Sequence, residues 1–297
     1  MIPFRQITII GTGLIGGSVA LGARKHGFRG QIVGCDRKEV LARARRKGAI
    51  DRGVADAVSA CQGSDLILLA TPVGGIIELL AKIAPQVSPD ALITDVGSTK
   101  AEVVRAASQA FGNDVKHRFL AGHPMAGKEN SGIEYADAEL FRGAVWFLTP
   151  VEQQKLKAGK LASFTRLIKS LGAKVSILDP AQHDELCAWI SHVPQMLSTA
   201  LAATLVEEFG ENAPLLESGG RALREMTRIS ASPYSMWRDI ALTNKKPIGE
   251  ALLKLEQELA HIRENLDTRE LEAAFRRAHQ LQRTRSPRKH RASEKHK

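Results

Sequence analysis

The sequence has few cysteines and no long apolar run, and both shortages exclude whole classes of protein. Its three cysteines, Cys35, Cys61 and Cys187, are an odd number at unrelated spacings, so they predict neither a disulfide framework nor a metal-binding motif. No segment approaches the roughly eighteen apolar residues of a membrane-spanning helix. The first residues lead directly into a strand-like segment and lack the regions of a signal peptide. We therefore expect a cytoplasmic protein with no membrane association and no metal.

Acidic residues are scarce at one end of the chain, and this explains its basic character. The 297 residues carry a formal net charge of +10. Residues 276–297 contain nine lysines and arginines and one glutamate, so they hold +8 of that total. We predict that residues 283–297 form a disordered, solvated basic tail. A nucleic-acid-binding arm is the less favoured alternative, because isolated charge runs are common.

The first part of the chain alternates short apolar, β-branched segments with helical patterns. Strands are predicted at residues 7–10, 31–35, 65–70, 91–95, 119–122, 144–149 and 174–178, and helices at 14–26, 38–47, 73–83, 99–111 and 152–171. Strands that are apolar throughout are buried on both faces. The pattern therefore predicts an α/β Rossmann-type nucleotide-binding domain with a parallel-rich sheet over residues 1–178.

The pattern becomes purely helical after Asp179 and Pro180. Apolar residues then recur at helical spacing, through Leu186, Ile190, Val193, Leu197, Leu201 and Leu205, and again through Leu252, Leu255, Leu259, Ile262 and Leu266. We predict an all-helical domain over residues 179–282. Because long helices with wide apolar faces often bury them against a second copy of the chain, we expect a homodimer.

A glycine-rich turn follows the first predicted strand and opens a helix. It consists of Gly11, Thr12, Gly13, Leu14, Ile15 and Gly16. In a dinucleotide-binding fingerprint the first glycine permits the tight turn, the second lets the backbone approach the pyrophosphate, and the third lets helix and sheet pack closely. The helix N-terminus supplies N–H donors to the phosphates. A glycine turn without a ligand is the alternative, and the strand–turn–helix context weighs against it.

Asp36 ends the second predicted strand and bears on the choice of cofactor. Its carboxylate would accept hydrogen bonds from ribose hydroxyls and repel a 2′-phosphate, which favours NAD. Arg37 could meet such a phosphate, so NADP stays the less favoured alternative. FAD shares the fingerprint, but a flavin needs more surrounding protein. Because ligands lie at the carboxyl ends of parallel strands, we add to the cofactor site Thr71, Pro72 and Gly97.

Three further segments carry polar residues in unusual places. His123 follows a buried strand and precedes glycines, so we expect it on a rigid loop at the ligand edge of the sheet. His192 lies on the first long helix after residue 179, with Pro194 two residues later. Arg228 precedes the segment 236–239, which reads Met-Trp-Arg-Asp. A single histidine is more often structural than catalytic. No one of these segments therefore indicates a function by itself, and we interpret the three together.

Together these segments resemble the prephenate and arogenate dehydrogenase family of tyrosine biosynthesis. The resemblance covers residues 7 to about 265. It rests on GTGLIGGS (11–18), TDVGSTK (94–100), GHPMAGKENSG (122–132), LFRGAVWFLTP (140–150), HDELCAWISHVPQ (183–195), GGRALREMTRIS (219–230) and MWRDI (236–240). It implies that NAD takes a hydride from the carbinol carbon of a cyclohexadiene, that CO2 leaves, and that the ring becomes aromatic.

The resemblance also implies roles for single residues. His123 matches the catalytic histidine, which accepts the proton or hydrogen bond of the substrate hydroxyl, a task suited to an imidazole that titrates near neutrality. Ser98 matches the serine that orients it. Arg228 matches the arginine that binds the substrate carboxylate. His192 matches a second substrate-pocket histidine. To the same pocket we assign Ser191, Gln195 and Glu129, with Arg224 and Trp237, which in the family reach the site from the partner subunit.

The chain departs from the family at one substrate-pocket position. Family members often read Ser-His-Leu-Pro-His where residues 191–195 read Ser-His-Val-Pro-Gln, so Gln195 brings no titratable group to the substrate side chain. We expect prephenate as the substrate, 4-hydroxyphenylpyruvate as the product, and no regulation through an appended domain. Arogenate, which would give tyrosine, is the alternative substrate. A non-catalytic NAD-binding or nucleic-acid-associated protein is a remote alternative that the basic tail suggests.

Overall fold

The structure is a computed structural model that describes residues 3–128, 130–152, 154–210 and 218–285. Glu129 and residues 286–297 of the predicted tail therefore lie outside the described residues. The last helix ends at Arg285, within the predicted tail, and the start of the tail at residue 283 stays a prediction. Glutamate, alanine, leucine, glutamine and arginine dominate this segment, and all of them favour a helix.

One sheet of eight strands organises the described chain. The strands are β1 (Gln6–Ile10), β2 (Gln31–Cys35), β3 (Arg52–Val54), β4 (Leu66–Leu69), β5 (Leu92–Asp95), β6 (Phe119–Pro124), β7 (Val145–Thr149) and β8 (Lys174–Ile177). Their order is β3-β2-β1-β4-β5-β6-β7-β8. Neighbours are parallel except for β6 and β7, which run antiparallel. This confirms the predicted parallel-rich, Rossmann-type sheet, whose order reverses between β1 and β4.

Helices cover both faces of the sheet. They are α1 (Leu14–Lys25), α2 (Lys38–Arg46), α3 (Ala57–Cys61), α4 (Val73–Ile83), α5 (Ala101–Phe111), α6 (Val115–Arg118) and α7 (Gly159–Ser170). Leu66 and Leu68 of β4 belong to one buried apolar cluster, and Ile67 and Leu69 belong to a second. Because successive strand residues point to opposite faces, the apolar strand contributes to two cores.

The sequence patterns miss β3 and α3. Strand β3 has only three residues, and two of them are exposed, so it carries no apolar signal. Short edge strands of this kind are common because they limit unwanted pairing with other chains. Helix α7 begins at Gly159, later than the predicted residue 152.

Helices and turns, without strands, make up the described residues after Ile177. The helices are α8 (Pro180–Cys187), α9 (Val193–Phe209), α10 (Gly220–Thr227), α11 (Tyr234–Thr243), α12 (Lys245–Glu264) and α13 (Arg269–Arg285). Asp179 caps α8, since its Oδ1 accepts the backbone N–H of Ala181 at 2.8 Å. Among the helices described, none is long and apolar enough to cross a membrane.

The described chain divides into two compact units after Ile248. Helices α8 to α11 belong to the same unit as the sheet, and the second unit begins at Gly249. The boundary predicted at residue 179 marks the change from strands to helices, and as a domain boundary it stays a prediction.

Candidate active site

The glycine turn, residues 11–16, lies where the strand order reverses. Gly11 has a φ of +93°, and a Cβ there would lie 2.4 Å from the carbonyl oxygen of Ala70. A Cβ on Gly16 would lie 2.1 Å from the carbonyl oxygen of Gly11. At Gly13 a Cβ would meet no described atom within 4 Å. Gly11 and Gly16 are therefore required by packing, whereas Gly13 leaves its backbone open for the approach of a ligand.

Asp36 is attached to this turn. Its Oδ2 accepts the backbone N–H of Thr12 at 2.8 Å, and its Oδ1 accepts the backbone N–H of Arg37 at the same distance. Helix α1, whose first turn contains Leu14 and Ile15, has neither an acidic residue nor a side-chain cap at its described N-terminus. An uncapped helix N-terminus beside a fixed carboxylate fits the pyrophosphate and ribose of a dinucleotide.

The next two parallel strands bring the remaining predicted cofactor residues to the same edge. Thr71 is half-buried and Pro72 is exposed, and both lie between β4 and α4. Gly97 donates its N–H to Asp95 Oδ2 at 2.8 Å. Ser98, half-buried, follows in the same loop.

A buried ion pair ties this loop to β6. The Lys100 ammonium contacts the Asp95 carboxylate, and neither side chain has solvent exposure. Lys100 Nζ also donates to the carbonyl oxygen of Gly122 at 2.8 Å, and the Gly122 N–H donates to Asp95 Oδ1 at 3.1 Å. Because hydrogen bonds satisfy both charges, the pair fixes the backbone immediately before His123.

His123 lies in strand β6, so the prediction of a loop at this position is wrong. It pairs with Phe147 of β7, and this antiparallel pairing extends β6 to Pro124. Its side chain is buried, at 8% exposed. A strand holds this side chain more rigidly than a loop would.

A chain of hydrogen bonds connects His123 to α8. His123 Nδ1 lies 2.9 Å from His183 Nε2, and His183 Nδ1 lies 2.8 Å from Asp184 Oδ1. The Asp184 carboxylate also accepts the backbone N–H groups of Lys100 at 2.7 Å and Ala101 at 2.9 Å. We refer to His123, His183 and Asp184 as the histidine cluster.

The roles of His183 and Asp184 were not predicted from the sequence. Both lie in the segment 183–195, which was used only as one of the segments that resemble the family. The available signal was an adjacent histidine and aspartate early in a capped helix, and it does not by itself point to β6.

Burial controls the titration of the histidines. It lowers the pKa of His123 well below its ordinary value of 6.5. Repulsion from His183, whenever that ring is protonated, and from the Lys100 ammonium lowers the pKa further. Burial also lowers the pKa of His183, although the hydrogen bond to Asp184 opposes this, and it lowers the pKa of His192 to about 4. The expectation that His123 titrates near neutrality is wrong, because its burial disfavours the charged form.

Cys187 lies beside the cluster, with its Sγ 3.4 Å from His183 Nε2. Ligand atoms of His123, His183 and Cys187 all lie within 4.8 Å of one another, a spacing that a metal ion could use. Burial raises the pKa of the Cys187 thiol to about 12, and a metal ligand has to be the thiolate. The absence of a metal stays a prediction.

A π-turn, Ala188–His192, joins α8 to α9. Buried positions recur from His183 to Cys187 after four residues and from Cys187 to His192 after five. The wider turn therefore places His192 on the inward face, while Ser191 is half-buried.

Asn244 and Trp237 surround His192. Asn244 Nδ2 lies 3.1 Å from His192 Nδ1 and donates to the carbonyl oxygen of Asp184 at 2.8 Å. The ring of Trp237 meets the His192 ring edge-to-face, with centroids 5.9 Å apart. Helix α11 is held to the sheet of its own chain, since Gly74 N–H donates to Asp239 Oδ2 at 3.0 Å. The approach of Trp237 from a partner subunit stays a prediction.

Gln195 supports the turn that carries Arg228. Its Nε2 donates to the carbonyl oxygen of Ile229 at 2.8 Å and to Thr199 Oγ1 at 3.2 Å. Arg228 and Arg224 are exposed in this chain. Gln195 therefore connects α9 to the arginine-bearing turn through its amide.

Two protein-family models, one for each of two domains, together match nearly all of the described chain. The model described as prephenate dehydrogenase, nucleotide-binding domain, matches residues 19–177. The model described as prephenate dehydrogenase, dimerization domain, matches residues 179–280. The chain belongs to the prephenate dehydrogenase family.

Individual members of the prephenate dehydrogenase family agree with this assignment. The chain is 38% identical to a prephenate dehydrogenase of Lactococcus lactis over 276 residues, which is 91% of this chain and 73% of that protein. Prephenate dehydrogenase from A. aeolicus, solved in complex with hydroxyphenyl propionate and NAD+, has a TM-score of 0.84 and 32% identity, covering 94% and 97% of the two chains. Synechocystis arogenate dehydrogenase has a TM-score of 0.77 and 29% identity, covering 95% and 100%.

Proposed function

We propose that the chain catalyses the NAD-dependent oxidative decarboxylation of prephenate to 4-hydroxyphenylpyruvate, a step of tyrosine biosynthesis. The observation that carries this proposal is a neutral, buried His123 at the sheet edge that also holds the glycine turn. The relatives named prephenate dehydrogenase support the substrate. The A. aeolicus complex, with NAD+ and an aromatic acid, supports the cofactor and the ligand class.

The glycine turn and Asp36 would hold the dinucleotide, with Thr71, Pro72 and Gly97 at the adjoining strand ends. When bound, NAD+ supplies a hydride acceptor for the carbinol carbon of the substrate. His123 accepts the hydroxyl proton as that carbon becomes a carbonyl, and Ser98 orients the same hydroxyl. The electrons of the bond to the leaving carboxylate then complete the aromatic ring, and the carbonyl π electrons move to the oxygen, which recovers its proton from His123 as a phenol. CO2 therefore departs without a metal ion.

His192 has a hydrogen-bond donor available for the substrate. Because the Asn244 amide nitrogen can only donate, His192 Nδ1 accepts and Nε2 carries the hydrogen. His192 Nε2 and Trp237 Nε1 are buried and have no hydrogen-bond partner among the described residues. Since buried donors are almost always paired, these two are suited to oxygen atoms of a bound substrate.

Arg228 is proposed to bind a substrate carboxylate through its guanidinium group. Gln195 holds the turn that carries it. Ser191, half-buried in the π-turn just before α9, is assigned to the same pocket. Arg224 completes the pocket, as does Glu129, whose placement lies outside the described residues. A guanidinium fork is geometrically matched to a carboxylate.

Substrate and cofactor preference are tested together. The purified full chain is assayed for reduced cofactor with prephenate or arogenate, each with NAD or NADP, and the products are separated by chromatography. We expect the highest kcat/KM for prephenate with NAD. A higher value with arogenate would move the assignment to the arogenate reaction, and no turnover with either substrate would refute the enzymatic proposal.

We propose a homodimer formed through the helices after residue 179. Their single-chain surfaces expose large apolar side chains, among them Trp189, Ile190, Phe209 and Leu242, and the matching model is described as a dimerization domain. Sedimentation analysis tests this. We place the protein in the cytoplasm, in line with three cysteines that are free and buried. The basic tail is assigned no nucleic-acid partner.

A further inference from the structure

The histidine cluster joins a strand residue to two residues of α8 through two short hydrogen bonds. We propose that His183 and Asp184 are positioning residues that fix the tautomer of His123, so that Nδ1 carries the hydrogen and Nε2 is the free base. The assignment of Nε2 to proton transfer rests on the proposed function, whereas the tautomer itself does not.

Asp184 sets the direction of the chain of hydrogen bonds. Its Oδ1 accepts the Lys100 N–H and its Oδ2 accepts the Ala101 N–H, at 2.7 and 2.9 Å. These donors hold the carboxylate at the start of α5 and leave it an acceptor toward His183. His183 Nδ1, 2.8 Å away, must therefore be the donor of that hydrogen bond.

The protonation of His183 determines which nitrogen of His123 carries the hydrogen. Burial favours the neutral form of His183, as its lowered pKa indicates. A neutral imidazole that donates through Nδ1 has only a lone pair at Nε2. His123 Nδ1, 2.9 Å from that lone pair, therefore donates to it. In neutral His123 the remaining nitrogen, Nε2, is unprotonated and able to accept a proton.

Packing prevents the His183 ring from turning away. The side chain has no solvent exposure. Its ring meets Phe147 edge-to-face at 5.3 Å and His123 in the same manner at 5.1 Å. The arrangement follows the general rule that the hydrogen bond of one ring nitrogen determines which nitrogen of a histidine is protonated.

Two substitutions of His183 separate hydrogen bonding from packing. His183→Gln places a side-chain oxygen near the position of Nε2, where it can accept from His123. His183→Leu fills similar space without an acceptor. Cys187→Ala is the matched control, because it removes the thiol 3.4 Å from His183 Nε2 and leaves both hydrogen bonds of the histidine cluster in place.

The direct measurement is a long-range ¹H–¹⁵N correlation spectrum of the full chain labelled with ¹⁵N-histidine, with the His123 signals assigned by their loss in His123→Asn. We expect Nδ1–H in wild type, His183→Gln and Cys187→Ala, and loss of that preference in His183→Leu. Protonation at Nε2 in the wild-type chain would overturn the proposal, even if the leucine variant does not fold. A metal bound to these nitrogens, detected by elemental analysis, would also overturn it.

Turnover supplies the second measurement. We expect kcat with prephenate to fall about 10- to 100-fold in His183→Leu, a range typical when a supporting hydrogen bond to a functional histidine is removed, with KM nearly unchanged. The glutamine variant should recover most of kcat. Equal loss in both variants would overturn the proposal. If wild type does not turn over prephenate, the proposed function fails, while the spectrum still decides the tautomer.

Discussion

The glycine turn and the histidine cluster lie at the same edge of the sheet and are built in opposite ways. The turn is made of backbone and depends on atoms that are missing: a Cβ at Gly11 or Gly16 would overlap a carbonyl oxygen. The cluster is made of side chains from β6 and α8, and it depends on the ring nitrogens and the carboxylate oxygen that form its two hydrogen bonds. A backbone site is damaged by adding a methyl group, and a side-chain site is damaged by removing or charging one group.

The largest expected effect separates chemistry from cofactor binding. His123→Asn keeps a donor near the position of Nδ1 and removes Nε2. We expect kcat to fall by about 10²- to 10⁴-fold, the usual contribution of a general base, while the Kd for NAD is unchanged. Steady-state kinetics and NAD titration measure the two quantities. Equal loss of both would remove His123 from the chemistry.

Acid should lower the stability of the folded chain through its buried histidines. The glycine turn contains no titratable group, so acid should not act on it directly. Folded His192 has a pKa of about 4 and an ordinary value of 6.5, so the unfolded chain binds more protons between these values. The stability from neutral His192 is therefore complete above pH 6.5 and decreases as pH falls, by about 3 kcal/mol on reaching pH 4. His123 and His183 shift in the same direction.

Urea unfolding across this pH range measures that loss. His192→Gln should flatten the pH dependence, because it removes one of the buried titrating groups. His117→Gln is the matched control at an exposed histidine. A free energy of unfolding that is independent of pH from neutrality to pH 4 would contradict the burial argument.

Two glycine substitutions distinguish folding from binding within the turn. In Gly16→Ala the methyl group overlaps backbone, so we expect a loss of about 1–3 kcal/mol of stability together with NAD binding. In Gly13→Ala the methyl group meets no described atom, so stability should persist while NAD affinity falls about tenfold. Thermal unfolding and NAD titration report the two effects. A Gly13→Ala chain that binds NAD normally would contradict the assigned approach of the pyrophosphate.

Arg228→Ala tests substrate binding apart from both regions. Because carboxylate binding begins in the ground state, KM for prephenate should rise about tenfold with kcat nearly unchanged. Arg221→Ala is the control, since that exposed arginine pairs with Glu225 and has no assigned role in the site. An unchanged KM in Arg228→Ala would exclude the proposed contact.

A final effect of similar size concerns cofactor choice. Asp36→Asn keeps an acceptor for the Thr12 N–H and removes the charge that repels a 2′-phosphate. The ratio of kcat/KM for NAD to that for NADP should fall about tenfold. Arg37→Ala in the same background should lower NADP use alone. An unchanged ratio in Asp36→Asn would separate Asp36 from cofactor preference.

The comparison also explains what could be predicted from the sequence. Residues Gln6 to Asp36 form one strand–turn–helix–strand unit. Its residue types reflect local backbone demands, so the pattern alone predicts the cofactor site. His123 and His192 were found through a resemblance to a family, which supplies positions without contacts. Lys100, Asp184 and Asn244 were missed, because their roles arise from packing between segments far apart in the chain.

One expectation failed because it ignored the folded surroundings of a residue. The titration expected of His123 assumed a solvated imidazole, and the folded chain buries it near the Lys100 ammonium. The contact of Trp237 with His192 of the same chain was also not predicted. Neither burial nor contact is a local property of sequence.

The extra residue in the π-turn at Ala188–His192 shifts by one position which of the following side chains face inward. A regular helix continued from His183 and Cys187 would present Ser191 at the next inward position, one residue too early. Removing one residue from the turn would rotate everything after it by about 100°, the angle per residue of an α-helix. The histidine would then leave Asn244 and Trp237, although every residue of the pocket was still encoded.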